Sequence, residues 1–346
     1  MSSAPDASCR ASGNTNRKPI RSEAGMNIRL PHWLAAAAAG AAVFLACATS
    51  AAGADALATL DCDRLSPRDI RDVLASAPAP RIVLISGSFD LVTMDSFARF
   101  LVAMGYPAER IRNPVDGAWS YRSSESSAEL AGMIAWHYER DGMAPLLIGY
   151  SGGGMLAVRT LHELAGAFAS HVTVVDATTG EALSRDTIVD PQTGRERPAL
   201  GLKVPYACAL ATGALPRLIL GQWTMLGKLH EIPDTVDEFT GFVIEWDAIA
   251  GTFPGSTPYA ATGSAHVRNV TLPATYGHLD LPRTEQLATN PVTRAWIDAY
   301  RPDAAPPLPD ASVDTTNLLH AADIWHSVAR NWCREATRVA RSGERQ

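Results

Sequence analysis

Apolar positions along the chain fall into short continuous runs separated by stripes at helical spacing. Arg81-Ile82-Val83-Leu84-Ile85 is an apolar run that stops at Ser86-Gly87 and reads as a buried strand. Phe97, Phe100, Leu101 and Met104 then recur on one helical face, with Gly105 as the stop. Residues 108–113 read as a weaker strand and 113–124 as a loop. Ser126-Ser127-Ala128-Glu129 has the form of a capping box opening a helix to about Arg140. A strand over 145–150, a helix over 153–168 and a β-branched run at His171–Asp176 follow. This β-α-β-α alternation predicts a parallel sheet covered by helices on both faces.

The alternation breaks over 178–238, where prolines are frequent and an apolar stretch runs from Leu215 to Leu229. The pattern predicts a cap insertion at the sheet's carboxyl edge, acting either as an acyl-binding lid or as a segment that packs on the core. Strands resume at Gly241–Trp246 and Val267–Leu272. Asn290-Pro291 supplies an N-cap and a first-turn proline for a helix carrying Trp296 and Ile297. Beyond the proline-rich stretch 302–309, a last helix is expected over about 315–341. The expected fold class is thus α/β, with a mostly parallel sheet of about six strands flanked by helices. The main domain spans 55–310, and the helix in 311–346 packs on it.

Residues 33–54 are alanine-rich and apolar, follow the basic residues Arg17, Lys18, Arg21 and Arg29, and end in Ala52-Gly53-Ala54. Residues 1–54 read as an N-terminal extension and signal peptide cleaved before Asp55, so a secreted or periplasmic location is expected. The formal charge of the whole chain is −6. Loss of that segment removes five basic and two acidic residues and takes the charge to −9. An acidic chain without a basic cluster argues against a nucleic-acid partner. Cys62, Cys208 and Cys333 remain after residue 54. An oxidising compartment permits one disulfide, expected as Cys62–Cys333 with Cys208 a buried thiol. No CxxC or HExxH pattern is present, and neither a metal nor a cofactor is expected.

The chemistry centres on Gly149-Tyr150-Ser151-Gly152-Gly153, a G-x-S-x-G pattern between a strand and a helix. Such a turn is too tight for side chains at the glycines and pushes the serine hydroxyl into the open. A serine nucleophile needs a base, and the base needs an acid to hold its tautomer. In an open α/β sheet these groups gather past the carboxyl ends of strands. Of nine histidines, only His278 lies just past a strand's carboxyl end in the later part of the chain. Asp247, 31 residues before it, ends the preceding strand and is the first choice as acid, with Asp176 the alternative. The oxyanion hole is expected from the N–H of Gly152 plus that of Ser88 or Phe89. Trp119 and Tyr121 are candidate pocket side chains.

Together, Ile82–Gly87, the elbow, Asp247 and Tyr276-Gly277-His278 resemble the α/β-hydrolase superfamily over roughly residues 80–300. Trp119-Ser120-Tyr121-Arg122-Ser123 is similar to the corresponding stretch of bacterial VirJ-type periplasmic hydrolases. The sequence departs from the superfamily at Ser86-Gly87, where His-Gly is usual, and at Glu245-Trp246-Asp247, where Gly-x-x-Asp is usual. The resemblance implies a Ser-His-Asp triad and an acyl-enzyme. The expected function is a serine hydrolase (an esterase or lipase-like enzyme) cleaving carboxylic esters, with small-molecule or lipid-derived acyl esters and thioesters as candidate substrates. A membrane enters only as a source of substrate. An acyltransferase with the same triad, or a non-catalytic envelope binding protein on this scaffold, are the alternatives.

Overall fold

A computed structural model describes residues 55–213 and 223–343. The proposed signal segment, and the part of the apolar stretch before Trp223, lie outside the described residues. Chain order begins with α1 (Pro67–Asp72), β1 (Ile82–Ile85), α2 (Asp95–Ala103), α3 (Ser127–Asp141), β2 (Leu146–Tyr150) and α4 (Gly152–Leu164). A short hairpin of β3 (Thr187–Val189) and β4 (Glu196–Pro198) precedes β5 (Val204–Leu210). Then come β6 (Glu231–Ile232), β7 (Val236–Ile244), β8 (Ala260–Ala261) and β9 (His266–Leu272). The last helices are α5 (Glu285–Thr289), α6 (Pro291–Ala299) and α7 (Leu318–Gly343).

The central sheet has the order β1-β2-β5-β7-β9, with every neighbouring pair parallel. Strand β1 is buried at all four positions and β5 at all seven, as continuous apolar runs in a sheet covered on both sides require. The pleat divides those runs between two cores. Ile82, Leu84, Ile148 and Leu210 face α2, α6 and α7, where Phe97, Trp296 and Trp332 are buried. Val83, Ile85, Leu147 and Ala209 face α3 and α4, against Ile134, Met155 and Leu161. Helix ends are set locally. Ser126 accepts from the Glu129 N–H (3.3 Å), Asn290 accepts from the Val292 N–H (2.9 Å), and Gly142 terminates α3 at φ 70°.

The sheet differs from expectation in three places. Residues 108–113 form a 3₁₀ turn at Ala108–Arg110 rather than a strand. His171–Asp176 stays off the central sheet, its one bridge being the antiparallel pair Val175–Ala182. Strand β2 pairs directly with β5, so the sheet offers that run no neighbour. It crosses α3 instead, so closely that a side chain at Gly132 would meet the Thr173 carbonyl oxygen at 2.2 Å.

Strand β5, in turn, lies inside the segment expected to be cap. Its sequence VPYACAL lacks a β-branched run, and its place between β2 and β7 supplies what propensity does not. The sheet therefore has five strands among the described residues, not about six, and 178–238 is only partly an insertion.

Cys62 and Cys333 are joined as a disulfide across 271 residues. This ties the lead-in to the middle of α7. Cys208 is a free, fully buried thiol on β5, and burial pushes its pKa up to about 12. No described helix is long and apolar enough to cross a membrane.

Candidate active site

Ser151 sits between β2 and α4 at φ 52°, ψ −118°, a backbone conformation that costs a non-glycine residue on the order of 1–3 kcal/mol. The neighbouring glycines are required by contact. A Cβ on Gly149 would lie 2.3 Å from the Gly153 carbonyl oxygen, and one on Gly153 would lie 2.3 Å from that of Ile85. Two bonds from the β5 end hold the turn. The Ser151 N–H donates to the Leu210 carbonyl (2.8 Å), and the Thr212 hydroxyl donates to the Ser151 carbonyl (2.9 Å).

The structure brings Ser151, His278 and Asp247 into one line. Ser151 Oγ lies 3.0 Å from His278 Nε2, and His278 Nδ1 lies 2.6 Å from Asp247 Oδ2. All three residues are buried. Each comes from past the carboxyl end of a different parallel strand: β2, β9 and β7. Asp247 opposes its own burial with three hydrogen bonds. Desolvation disfavours its charged form, but donation from His278 and from the Ala250 (2.9 Å) and Ile249 (3.0 Å) N–H groups holds the carboxyl below its ordinary range. With Oδ1 taken by those backbone donors, Oδ2 is left to accept the Nδ1 proton. Nε2 then faces Ser151 as an acceptor.

Asp176 is not brought to this line. Its carboxylate accepts from the Thr178 hydroxyl (2.6 Å) and the Thr178 N–H (2.8 Å) in an exposed turn, and these bonds lower its pKa. Asp280 pairs with Arg283 (2.9 Å) rather than with the His278 ring.

The Gly152 N–H opens α4 and has no acceptor within the helix. Ser88 lies against it: a Cβ on Gly152 would stand 3.2 Å from Ser88 N and 2.3 Å from Ser88 Oγ. The Gly87 N–H is already used by the Val92 carbonyl (3.2 Å). Phe89 adopts φ 61° and is 69 % exposed. A cavity of about 170 Å³ opens over Ser151 and His278, walled by Phe89, Leu91, Val92, Ile249 and Leu279. Apart from His278, no acidic or basic side chain lines it among the described residues.

Trp119 and Tyr121 do not line this cavity. Trp119 lies under the Arg112 guanidinium at 3.8 Å, while Tyr121 bridges β1 through the Leu84 carbonyl and the Ser86 N–H. Among the described residues no group of three or more His, Cys, Asp or Glu side chains is arranged to hold a metal ion. One contributor to the site escaped the motif reading. Tyr150, the variable position of the elbow, donates from its hydroxyl to the His278 carbonyl (2.8 Å). A tyrosine that ends a buried strand one residue before the serine was the available signal.

Comparison with known proteins yields no match: no family model matches the chain, and no curated protein or solved structure does.

Proposed function

We propose that the protein is a serine hydrolase of carboxylic esters with an α/β-hydrolase type of sheet. The observation that carries this reading is the buried line from Ser151 through His278 to Asp247, with the serine held on a strained turn. Ser151 Oγ attacks the acyl carbon while His278 Nε2 takes its proton. Asp247 keeps the Nδ1 proton in place and stabilises the imidazolium. The oxyanion is held by the N–H of Gly152 and, by its proximity, that of Ser88 in preference to Phe89. His278 then protonates the leaving alcohol as the acyl C–O bond breaks. Water, deprotonated by His278, attacks the acyl-enzyme and releases the acid and Ser151.

The apolar, uncharged wall of the cavity favours an apolar acyl or alcohol portion, consistent with simple or lipid-derived esters. The Cys62–Cys333 disulfide supports export to an oxidising compartment. Fluorophosphonate labelling of the purified protein tests the reading. Ser151 becomes modified and Ser151→Ala abolishes both labelling and p-nitrophenyl acetate turnover. Labelling that persists in Ser151→Ala overturns it. Product analysis with an added alcohol separates hydrolysis from acyl transfer.

A further inference from the structure

The loop that carries His278 presents four backbone carbonyls that accept side-chain hydrogen bonds. That of His278 accepts from Tyr150 (2.8 Å). Those of Asp280 (2.7 Å) and Arg283 (3.0 Å) accept from Asn317 Nδ2, and that of Leu281 accepts from His320 Nε2 (2.9 Å). Asn317 and His320 lie at the start of the last helix, and both are buried. Asn317 holds φ 68°, a left-handed conformation that asparagine tolerates better than most residues. In the same turn the Leu319 N–H donates to the Tyr276 hydroxyl (3.3 Å).

The helix is itself locked to the sheet. One turn beyond His320, the fully buried Asp323 takes both Arg268 nitrogens from β9 at 2.6 Å and the Tyr300 hydroxyl at 2.8 Å. Arg268 and the His278 loop thus lie at the two ends of one rigid connection: β9 to α7 through the ion pair, and α7 back to the loop through Asn317 and His320.

We propose that α7 is the positioning element for His278, and that Asn317 and His320 are the positioning residues through which it sets the reach of Nε2 to Ser151. This rests on the reading of Ser151 and His278 as nucleophile and base. The physical reason is that proton transfer tolerates little misplacement, about 1 Å being enough to cost on the order of a hundredfold in rate. The twelve-residue connection 273–284 between β9 and α5 contains only a short 3₁₀ turn at His278–Asp280 and few backbone bonds of its own to hold its carbonyls. Donors on a helix fixed elsewhere supply that rigidity.

The test uses the intact chain. Asn317→Gly tolerates the left-handed backbone and removes the side chain with its amide donor, and His320→Gln keeps a donor where His320→Leu does not. We expect Asn317→Gly to lower kcat for p-nitrophenyl acetate by on the order of tenfold to a hundredfold with KM within about twofold. His320→Gln should retain most of the activity that His320→Leu loses. A second measurement does not depend on turnover. The proton NMR signal of His278 Nδ1–H bonded to Asp247, identified by its loss in Asp247→Asn, should shift or broaden in Asn317→Gly while circular dichroism stays native. Wild-type kcat together with an unchanged signal in Asn317→Gly overturns the proposal. Absence of Ser151 labelling in the wild-type protein overturns instead the catalytic reading beneath it, and the NMR signal still decides whether Asn317 positions the ring.

Discussion

The Tyr150 hydroxyl donates a 2.8 Å hydrogen bond to the His278 carbonyl, and the two rings lie 5.4 Å apart. The residue before the nucleophile thus braces the backbone of the base. Burial pushes the Tyr150 phenol pKa up, so the group stays a neutral donor at all working pH values. Tyr150→Phe leaves that buried carbonyl without a partner. Urea unfolding should show a loss of about 1–3 kcal/mol, and kcat should fall with KM little changed.

The acid is decided by comparing two substitutions. Asp247→Asn presents an amide to Nδ1 and favours the wrong imidazole tautomer. It is expected to lower kcat by on the order of 10⁴. Asp176→Asn alters only an exposed turn and should keep activity within about twofold. Steady-state kinetics on one activated ester measures both.

The apolar wall over Ser151 gives a chain-length prediction. Each methylene that enters the cavity should raise kcat/KM for p-nitrophenyl esters by about fourfold, from about 0.8 kcal/mol per buried CH₂, until the cavity is full. Ile249→Asp, which puts a charge into that wall, should flatten the series while leaving acetate turnover measurable.

His320 is fully buried and His326 half-buried, and desolvation lowers both pKa values from 6.5 to about 4. Between those values the unfolded chain binds more protons than the folded one. Their stabilisation is complete above about pH 6.5 and is lost as the pH falls toward 4. The urea midpoint should drop across that window, and His320→Gln should make the drop shallower. A midpoint independent of pH from 7 to 4 would count against buried neutral imidazoles.

The disulfide closes a loop of 271 residues and anchors α7, the helix that holds the His278 loop. Cys62→Ser with Cys333→Ser is expected to lower unfolding free energy by about 2–5 kcal/mol, read by denaturant titration. Activity at low temperature should persist, because Arg268 and Asp323 still lock the helix to β9.

The elbow, the apolar runs of β1 and β2 and the helix caps were legible in the sequence, because each is a short-range pattern. Tight turns demand glycine, buried strands demand continuous apolar residues, and caps demand a side-chain acceptor at one position. The order Ser151, Asp247, His278 followed from placing polar residues after strands. What failed was long-range pairing. The run 171–176 has better strand propensity than VPYACAL at 204–210, yet β5 takes the sheet position. A central strand is chosen by what lies on both sides of it. For the same reason no local pattern separated Asp247 from Asp176: each ends an apolar run, and only the packing of β7 beside β9 brings one of them to the His278 ring. Tyr150, Asn317 and His320 were invisible as site residues because they act on backbone carbonyls, which carry no mark in the sequence. Local chemistry was thus written along the chain, while the choice of partners awaited the tertiary structure, where strand order and helix register set distances between residues more than a hundred positions apart.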